Sequence, residues 1–160
     1  MDVFDEELLG IWRTFHENAV QYIMVGGIAT YFNGFHRTTA DLDIWLEDTL
    51  DNRKNLRAAL EKLDFGDMPM IETMQFVPGW TSIKRGELEL DIMTDMKGLE
   101  SLTFNDCLAK ASIAEIDGIE IPFLHINDLI ANKKSVNRPK DQIDVIELEK
   151  IKSLRDKQNP

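Results

Sequence analysis

The sequence predicts one α/β (α+β) domain over residues 1–160, in which a mixed β-sheet packs against flanking helices. Three observations lead to this fold class. Residues 5–19 place apolar side chains on one helical stripe, Gly26–Gly27 closes a short apolar run, and residues 40–46 alternate between polar and apolar side chains. With 43% hydrophobic and 29% charged residues, the chain can bury a sizeable single core.

Local sequence signals predict the helices, strands and turns along the chain. Arg85–Gly86 and Asp117–Gly118 each separate two strand-like runs, which is typical of β-hairpins. Asp51 and Asn127 are expected to cap helices, and Pro139 suits the first position of the last helix. In chain order the predicted elements are helix 5–19, strand 22–25, helix 28–33, strand 40–46, helix 51–63, hairpin 82–95, helix 103–112, hairpin 114–123, and helices 128–136 and 139–151.

Two segments give weaker signals. Residues 70–77 could form a strand, and Pro78–Gly79 then marks a turn. The terminal residues 153–160 are expected to fray.

The charge of the chain narrows the class of partner. The net charge is −11, divided into −14 over residues 1–132 and +3 over residues 133–160. Affinity for long nucleic acids comes mostly from neutralising phosphates, so extended nucleic-acid binding is not expected of such an acidic body. A small nucleotide bound through metal ions, or one RNA end held by the basic tail, stays compatible with this charge.

The composition of the chain also indicates the cellular compartment. The single cysteine, Cys107, rules out a disulfide framework and a thiolate metal cluster, and it is interpreted as a small core residue on a helix. No run approaches the roughly 20 apolar residues of a membrane span. The N-terminus is acidic, whereas a signal peptide would be basic. We therefore expect a cytoplasmic protein without a membrane partner.

Two acidic side chains share one face of the strand at 40–46. Asp41 and Asp43 are separated by one residue, whereas Leu42 and Ile44 point to the opposite face. Paired carboxylates are suited to holding a hard divalent cation. The preceding glycine turn lets backbone amides approach a phosphate without an intervening Cβ. The pattern suggests metal-dependent chemistry on a nucleotide.

A third carboxylate, on a later strand, completes a sequence motif. Gly26–Gly27, the Asp41-x-Asp43 pair and Asp91, which alternates with apolar neighbours on a later strand, resemble the motif of the nucleotidyltransferase superfamily of the polymerase-β type. The resemblance implies a nucleotidyltransferase fold, with a core over about residues 20–147.

The closer resemblance is to small bacterial members, the minimal and AbiEii-like nucleotidyltransferase proteins that are linked with toxin–antitoxin systems. Two features carry it: the RTTAD sequence at 37–41, and the segment HINDLIANKKSVNRPKDQIDV at 125–145. The second feature lies in a predicted C-terminal helical tail over 127–151.

The resemblance implies roles for the motif residues. Asp41, Asp43 and Asp91 would be catalytic and would ligate two Mg²⁺ ions, with Mn²⁺ as a possible substitute, and Asp91 could accept the proton of an attacking hydroxyl. Gly26 and Gly27 would seat the triphosphate of a nucleoside triphosphate (NTP). Without the family context, a strand bearing alternating carboxylates is more often a solvated face.

Arg37, Thr38 and Lys133 are further candidates for contacts with the triphosphate. For Arg37 and Thr38 the alternative is that they order the loop before the acidic strand. For Lys133 the alternative is a structural ion-pair network across the two C-terminal helices. The members of that network would be Lys133, Arg138, Asp141 and Asp144.

Other residues have two interpretations as well. Asp95 is a weaker substitute for Asp91. Trp45 could stack on a base or pack under a helix, and packing is favoured. His36 stands alone near the motif, and no zinc spacing exists.

The resulting functional hypothesis is a metal-dependent transfer of a nucleotidyl group from an NTP to a hydroxyl acceptor, with release of pyrophosphate. The acceptor could be a small molecule, a protein or a tRNA end, and an antitoxin or partner chain could take part. The alternative is a catalytically degenerate domain that binds a nucleotide or a partner.

Overall fold

The computed structural model describes residues 2–159 as a mixed six-stranded sheet with flanking helices, which confirms the predicted fold class. The sheet order is β3-β4-β2-β1-β6-β5. The elements are α1 (Glu6–Glu17), β1 (Tyr22–Met24), α2 (Gly26–Phe32), β2 (Asp41–Leu46), α3 (Leu50–Lys62), a 3₁₀ helix (Pro69–Glu72), β3 (Thr81–Arg85), β4 (Leu88–Met93), α4 (Phe104–Lys110), β5 (Ser112–Ile116), β6 (Ile119–Phe123), α5 (Ile126–Val136) and α6 (Pro139–Gln158).

The strand pairing brings distant parts of the chain together. β2 pairs in parallel with β4 and antiparallel with β1, and β1 pairs in parallel with β6. β3 and β5 pair antiparallel with β4 and β6 in the two predicted hairpins. The two predicted acidic strands therefore lie side by side at the centre of the sheet.

The hydrophobic core lies between the sheet and its helices. Leu42, Ile44 and Leu46 of β2 are fully buried, as the alternating pattern predicts, and α1 buries Trp12 and Phe15 on its apolar stripe. Because one face of β2 is held in the core, its carboxylates are held at the other face.

Several predicted helix boundaries are wrong. The helix predicted over 103–112 ends at Lys110, because Ser112 begins β5. Thr49, and not Asp51, caps α3 by accepting a hydrogen bond from the N–H of Asn52. His125, and not Asn127, caps α5 through its ring nitrogen, which accepts from the N–H of Asn127. Helix α2 begins at Gly26, so the glycine pair forms its first turn and does not precede it.

The predicted fraying of residues 153–160 is wrong as far as Gln158, where α6 ends, and residue 160 lies outside the described residues. Arg155 explains the added turns, because its guanidinium donates a 2.7 Å hydrogen bond to the carbonyl of Asn33. This contact docks the end of α6 onto the end of α2.

The strand considered for residues 70–77 does not form; the 3₁₀ helix occupies the first part of this segment. Arg53 holds the segment against α3 by donating to the carbonyls of Ile71 and Met74, and its guanidinium lies 4.7 Å from the ring centre of Phe76. These side-chain bonds take the place of a strand ladder.

Among the described residues, no helix is both long and apolar enough to cross a membrane.

Candidate active site

The acidic residues of β2 and β4 meet on one face of the sheet. The parallel register places Asp43 opposite Asp91 and Asp41 opposite Glu89. Side chains opposite each other on neighbouring strands project to the same face, so Asp41, Asp43 and Asp91 line one cleft. Asp43 and Asp91 are close enough to share a side-chain hydrogen bond.

Burial and mutual repulsion hold the pKa of the Asp43 carboxyl at about 7. Burial is the larger cause, and the negative charges of Asp91 and Asp41 add to it. The N–H of Gly27, which donates a hydrogen bond to Asp43, and the charge of Lys140 act in the opposite direction but do not restore the ordinary value. Asp43 is therefore a site where a cation would relieve a strong electrostatic penalty.

The pKa of Asp91 is also raised, again chiefly by burial, with a contribution from the charge of Asp41. The hydroxyl of Ser82 donates a hydrogen bond to Oδ1 of Asp91 and acts to lower that pKa. Ser82 lies opposite Asp91 in the β3–β4 register. This contact fixes the orientation of the Asp91 carboxyl.

The glycine pair allows α2 to approach the acidic strand closely. A Cβ on Gly26 would lie 2.2 Å from Oδ2 of Asp43, and Gly26 has a φ of +60°. A Cβ on Gly27 would lie 2.5 Å from Oγ1 of Thr39. Any side chain at these positions would therefore displace the residues that form the cleft.

The cleft has a volume of about 610 Å³, which is in the range of small-molecule sites. Besides the carboxylates of β2 and β4, residues of α5, α6 and the segment after β4 line the cleft. The lining residues that carry a positive charge are Arg37, Lys97, Lys133, Arg138 and Lys140. The same segments also contribute Asp95, Glu100 and Asp141, so carboxylates and cations both line the cleft, a combination that suits a polyphosphate bound through metal ions.

Comparison with known proteins decides the family. Residues 5–155 match the model of the family described as nucleotidyltransferase of unknown function (DUF6036). The chain belongs to this nucleotidyltransferase family. No curated protein sequence gives a significant match.

Two solved structures share the fold of this nucleotidyltransferase. The antibiotic-resistance factor ANT(2'')-Ia, for which substrate-regulated conformation dynamics are described, aligns with a TM-score of 0.58 and 18% identity, over 93% of this chain and 87% of its own. TM1012 of Thermotoga maritima, itself proposed to be a nucleotidyltransferase, aligns with a TM-score of 0.52 and 19% identity, over 95% of this chain and 90% of its own.

The structural network considered for Lys133 is present in this family member. Lys133 is 4% exposed, and its Nζ lies 2.7 Å from Oδ2 of Asp144 and 3.5 Å from Oδ1 of Asp141. Arg37 donates two 2.7 Å hydrogen bonds to Asp144, and Arg138 donates to Asp141. The contact of Lys133 or Arg37 with a triphosphate stays a prediction.

These pairs control the charge state of the two carboxyls. Burial acts to raise the pKa of Asp141 and Asp144, but the hydrogen bonds from Arg138 to Asp141 and from Arg37 and Lys133 to Asp144 outweigh it, and both pKa values are lowered. The network therefore stays ionised, and it ties α5 and α6 to the loop before β2.

The remaining predicted residues fall in different places. Thr38 is exposed and lies outside the cleft lining, and its carbonyl accepts a hydrogen bond from Arg37. Asp95 does line the cleft. Trp45 is buried, with its ring centre 5.6 Å from that of Phe104, so the favoured packing interpretation is confirmed.

Four cleft or near-cleft residues were not found from the sequence: Trp80, Ser82, Lys97 and Lys140. Only the β3–β4 register could have indicated Ser82, because it is the position opposite Asp91 in the hairpin. The lysines give no local signal, since their position depends on how α6 and the segment after β4 close over the sheet.

Gly26→Ala is expected to lower transfer activity about 10²-fold, because the new Cβ would push Asp43 out of position. The matched control is Gly86→Ala in the β3–β4 turn. Gly86 has nearly the same φ, +58°, but a Cβ at this position would meet nothing within 4 Å. Backbone strain should destabilise both variants by about 1–2 kcal/mol, which urea unfolding would measure. Only Gly26→Ala should lose activity. Equal activity in the two variants would contradict the steric argument.

Proposed function

We propose that this protein transfers a nucleotidyl group from an NTP to a hydroxyl acceptor and releases pyrophosphate, in a reaction that depends on Mg²⁺. The observation that carries the proposal is the close pair Asp43–Asp91, partly buried and raised in pKa, in a cleft that basic residues also line. Membership of a nucleotidyltransferase family supports the same chemistry.

The donor set fits Mg²⁺ in its chemistry. Asp41, Asp43 and Asp91 offer only carboxylate oxygens, which this hard cation prefers. Within residues 2–159, no group of three or more His, Cys, Asp or Glu side chains is arranged to hold a metal ion by itself. Waters and substrate phosphates would therefore have to complete the shell of an ion held by one or two of these carboxylates, as they usually do for Mg²⁺. When bound, the ions would neutralise charge on the phosphoryl and departing oxygens.

The residues of the chain have distinct tasks in the proposed transfer. The acceptor oxygen forms a bond to the α-phosphorus, the bond from that phosphorus to the bridging oxygen of pyrophosphate breaks, and the acceptor proton passes to Asp91. The hydroxyl of Ser82 donates a hydrogen bond to Oδ1 of Asp91 and orients the carboxyl for this role.

Lys140 and Lys97 are proposed to bind the triphosphate. Lys140 lies on the first turn of α6 and lines the cleft, and its charge acts to lower the pKa of Asp43. Lys97 lines the cleft from the segment after β4. Among the described ion pairs neither lysine has a carboxylate partner within salt-bridge distance, in contrast to Lys133. Both charges are therefore available to an anionic ligand.

The acceptor is proposed to be a hydroxyl of a small molecule, a protein or a tRNA end. A place in a toxin–antitoxin pair is proposed from the family resemblance, and an adjacent antitoxin-like gene would support it.

The test compares the parent with Asp91→Asn and with Glu89→Gln, which removes a charge from the same face of β4 outside the cleft lining. Each radiolabelled NTP is incubated with protein, Mg²⁺ and cell extract. We expect label transfer by the parent and by Glu89→Gln, and a loss of about 10³-fold or more in Asp91→Asn. Absence of transfer by the parent, together with no Mg²⁺-dependent NTP binding in calorimetry, would overturn the proposal.

A further inference from the structure

Trp80 is an exposed aromatic residue on the rim of the cleft. Its side chain is 54% exposed, whereas Trp12 and Trp45 are 0% and 3% exposed. Among the described residues that line the cleft, Trp80 is the only aromatic. Burying the apolar surface of an indole is favourable, and folding leaves much of this surface in water. A ligand that covers the ring would therefore gain binding free energy from its burial.

We infer that Trp80 is the platform on which the nucleobase of the NTP stacks. The inference rests on the proposed function and adds the residue that holds the base. Every nucleobase has a flat π-face, and stacking on an indole is compatible with any of the four bases. The inference therefore predicts affinity for NTPs as a class, with little preference among bases from this contact alone.

The strand register places Trp80 correctly for this role. Trp80 directly precedes β3, two residues before Ser82, which pairs with Asp91 and donates a hydrogen bond to it. Two residues of extended chain span about 7 Å, and Trp80 lines the same cleft as Asp91. The ribose spans a comparable gap between a nucleobase and its α-phosphate.

The lining of the cleft offers both kinds of side chain that a nucleotide needs. The cleft is charged around the carboxylates and lysines, whereas several other lining residues are apolar. The apolar members of the lining are Val25, Pro78, Met93, Met96 and Val136. Methionine side chains adapt to flat ligands and favour aromatic rings. The charged lining residues suit a triphosphate, and the apolar ones suit a base.

The main test is calorimetry with Mg²⁺, using two ligands: each NTP, and inorganic tripolyphosphate, which has no base. Trp80→Ala should weaken NTP binding about 5- to 150-fold and leave tripolyphosphate binding unchanged. Trp80→Phe keeps a ring and should stay within a few-fold of the parent. The matched control is Val77→Ala, because Val77 is 59% exposed in the same segment but does not line the cleft.

Tryptophan fluorescence provides a second measurement in the parent protein. Because the other two tryptophans are buried, quenching by acrylamide reports chiefly on Trp80. Bound NTP should protect this fluorescence, and tripolyphosphate should not. Trp80→Phe should show little quenching with or without NTP, which also verifies that its fold is retained.

The outcomes separate this inference from the proposed function. If the parent binds NTP and Trp80→Ala binds it equally well, the inference is wrong and the proposed function stands. The inference is also wrong if Trp80→Ala loses tripolyphosphate affinity to the same extent, or if only the KM for the acceptor rises. If the parent binds no NTP in the presence of Mg²⁺, the proposed function and the inference both fall.

Discussion

Asp43→Asn is expected to make the metal-free protein more stable than the parent at pH 8, while it removes the transfer activity. The parent must hold a charged Asp43 beside Asp91 and Asp41 in a partly buried position, and the pKa of about 7 reflects that penalty. An asparagine has nearly the same shape and carries no charge. The same residue would therefore be unfavourable for folding and necessary for binding the metal.

The direction with pH follows from the raised pKa. The pKa of Asp43 rises from its ordinary value of 3.8 to about 7 on folding, so folding favours the protonated carboxyl. The stability that this carboxyl contributes is therefore fully present below pH 3.8 and is lost as the pH rises through about 7. The stability advantage of Asp43→Asn should be near zero at about pH 4 and should reach its maximum above pH 7. A shift of this size corresponds to at most about 4 kcal/mol.

The measurement is urea unfolding of both proteins across this pH range in the presence of EDTA. Glu47→Gln, which removes a charge just beyond β2 and outside the cleft lining, is the control and should show no such rise. Adding Mg²⁺ should stabilise the parent and not Asp43→Asn, since only the parent keeps the carboxylate. A constant difference between parent and variant from pH 4 to pH 8 would contradict the electrostatic explanation.

The sequence could predict the two acidic strands because alternation is a local signal. Leu42 and Ile44 are buried and Asp41 and Asp43 face the cleft, as the period of two requires. The pairing of Asp43 with Asp91, in contrast, is not a local signal. It depends on the parallel register of two strands far apart in the chain, so only the family resemblance could suggest it before the structure.

At the glycine pair too, one part of the role can be predicted from the sequence and another part only from the structure. A strand-to-helix turn at Gly26–Gly27 is readable from the sequence, and so is freedom of approach for a phosphate. The structure adds a requirement of the fold itself, because Gly26 must admit the Asp43 carboxylate and Gly27 must admit Thr39. The triphosphate seat at these glycines stays a prediction.

The roles of the basic residues that line the cleft could not be assigned from the sequence. Lys140 and Lys133 are both lysines near the start or end of a helix, and local pattern does not distinguish them. Only tertiary packing shows that Lys133 is buried between two carboxylates while Lys140 is exposed and lines the cleft. The exposed indole of Trp80 likewise gives no signal in a single sequence, where most tryptophans are interpreted as core.

Lys133→Met is expected to lower the free energy of unfolding by about 3 kcal/mol, because it removes one partner from a buried ion-pair network. Asp144 keeps its two hydrogen bonds from Arg37, and Asp141 keeps those from Arg138, which places the loss at the lower end for buried pairs. Methionine fills nearly the same volume, so the loss reports the charge and not a cavity. Urea unfolding at pH 7 measures it.

The neighbouring Lys134 provides the control. Its side chain is 57% exposed and pairs with Glu149 at the surface, so Lys134→Met should cost less than about 1 kcal/mol. The comparison also decides between the two interpretations of Lys133. A destabilised Lys133→Met that still binds tripolyphosphate at low temperature would assign Lys133 to the structure of the cleft wall. A variant of unchanged stability that loses tripolyphosphate binding would contradict this. It would mean that Lys133 can leave both carboxylates for the ligand, although a charge already neutralised by two buried partners has little attraction left for a third.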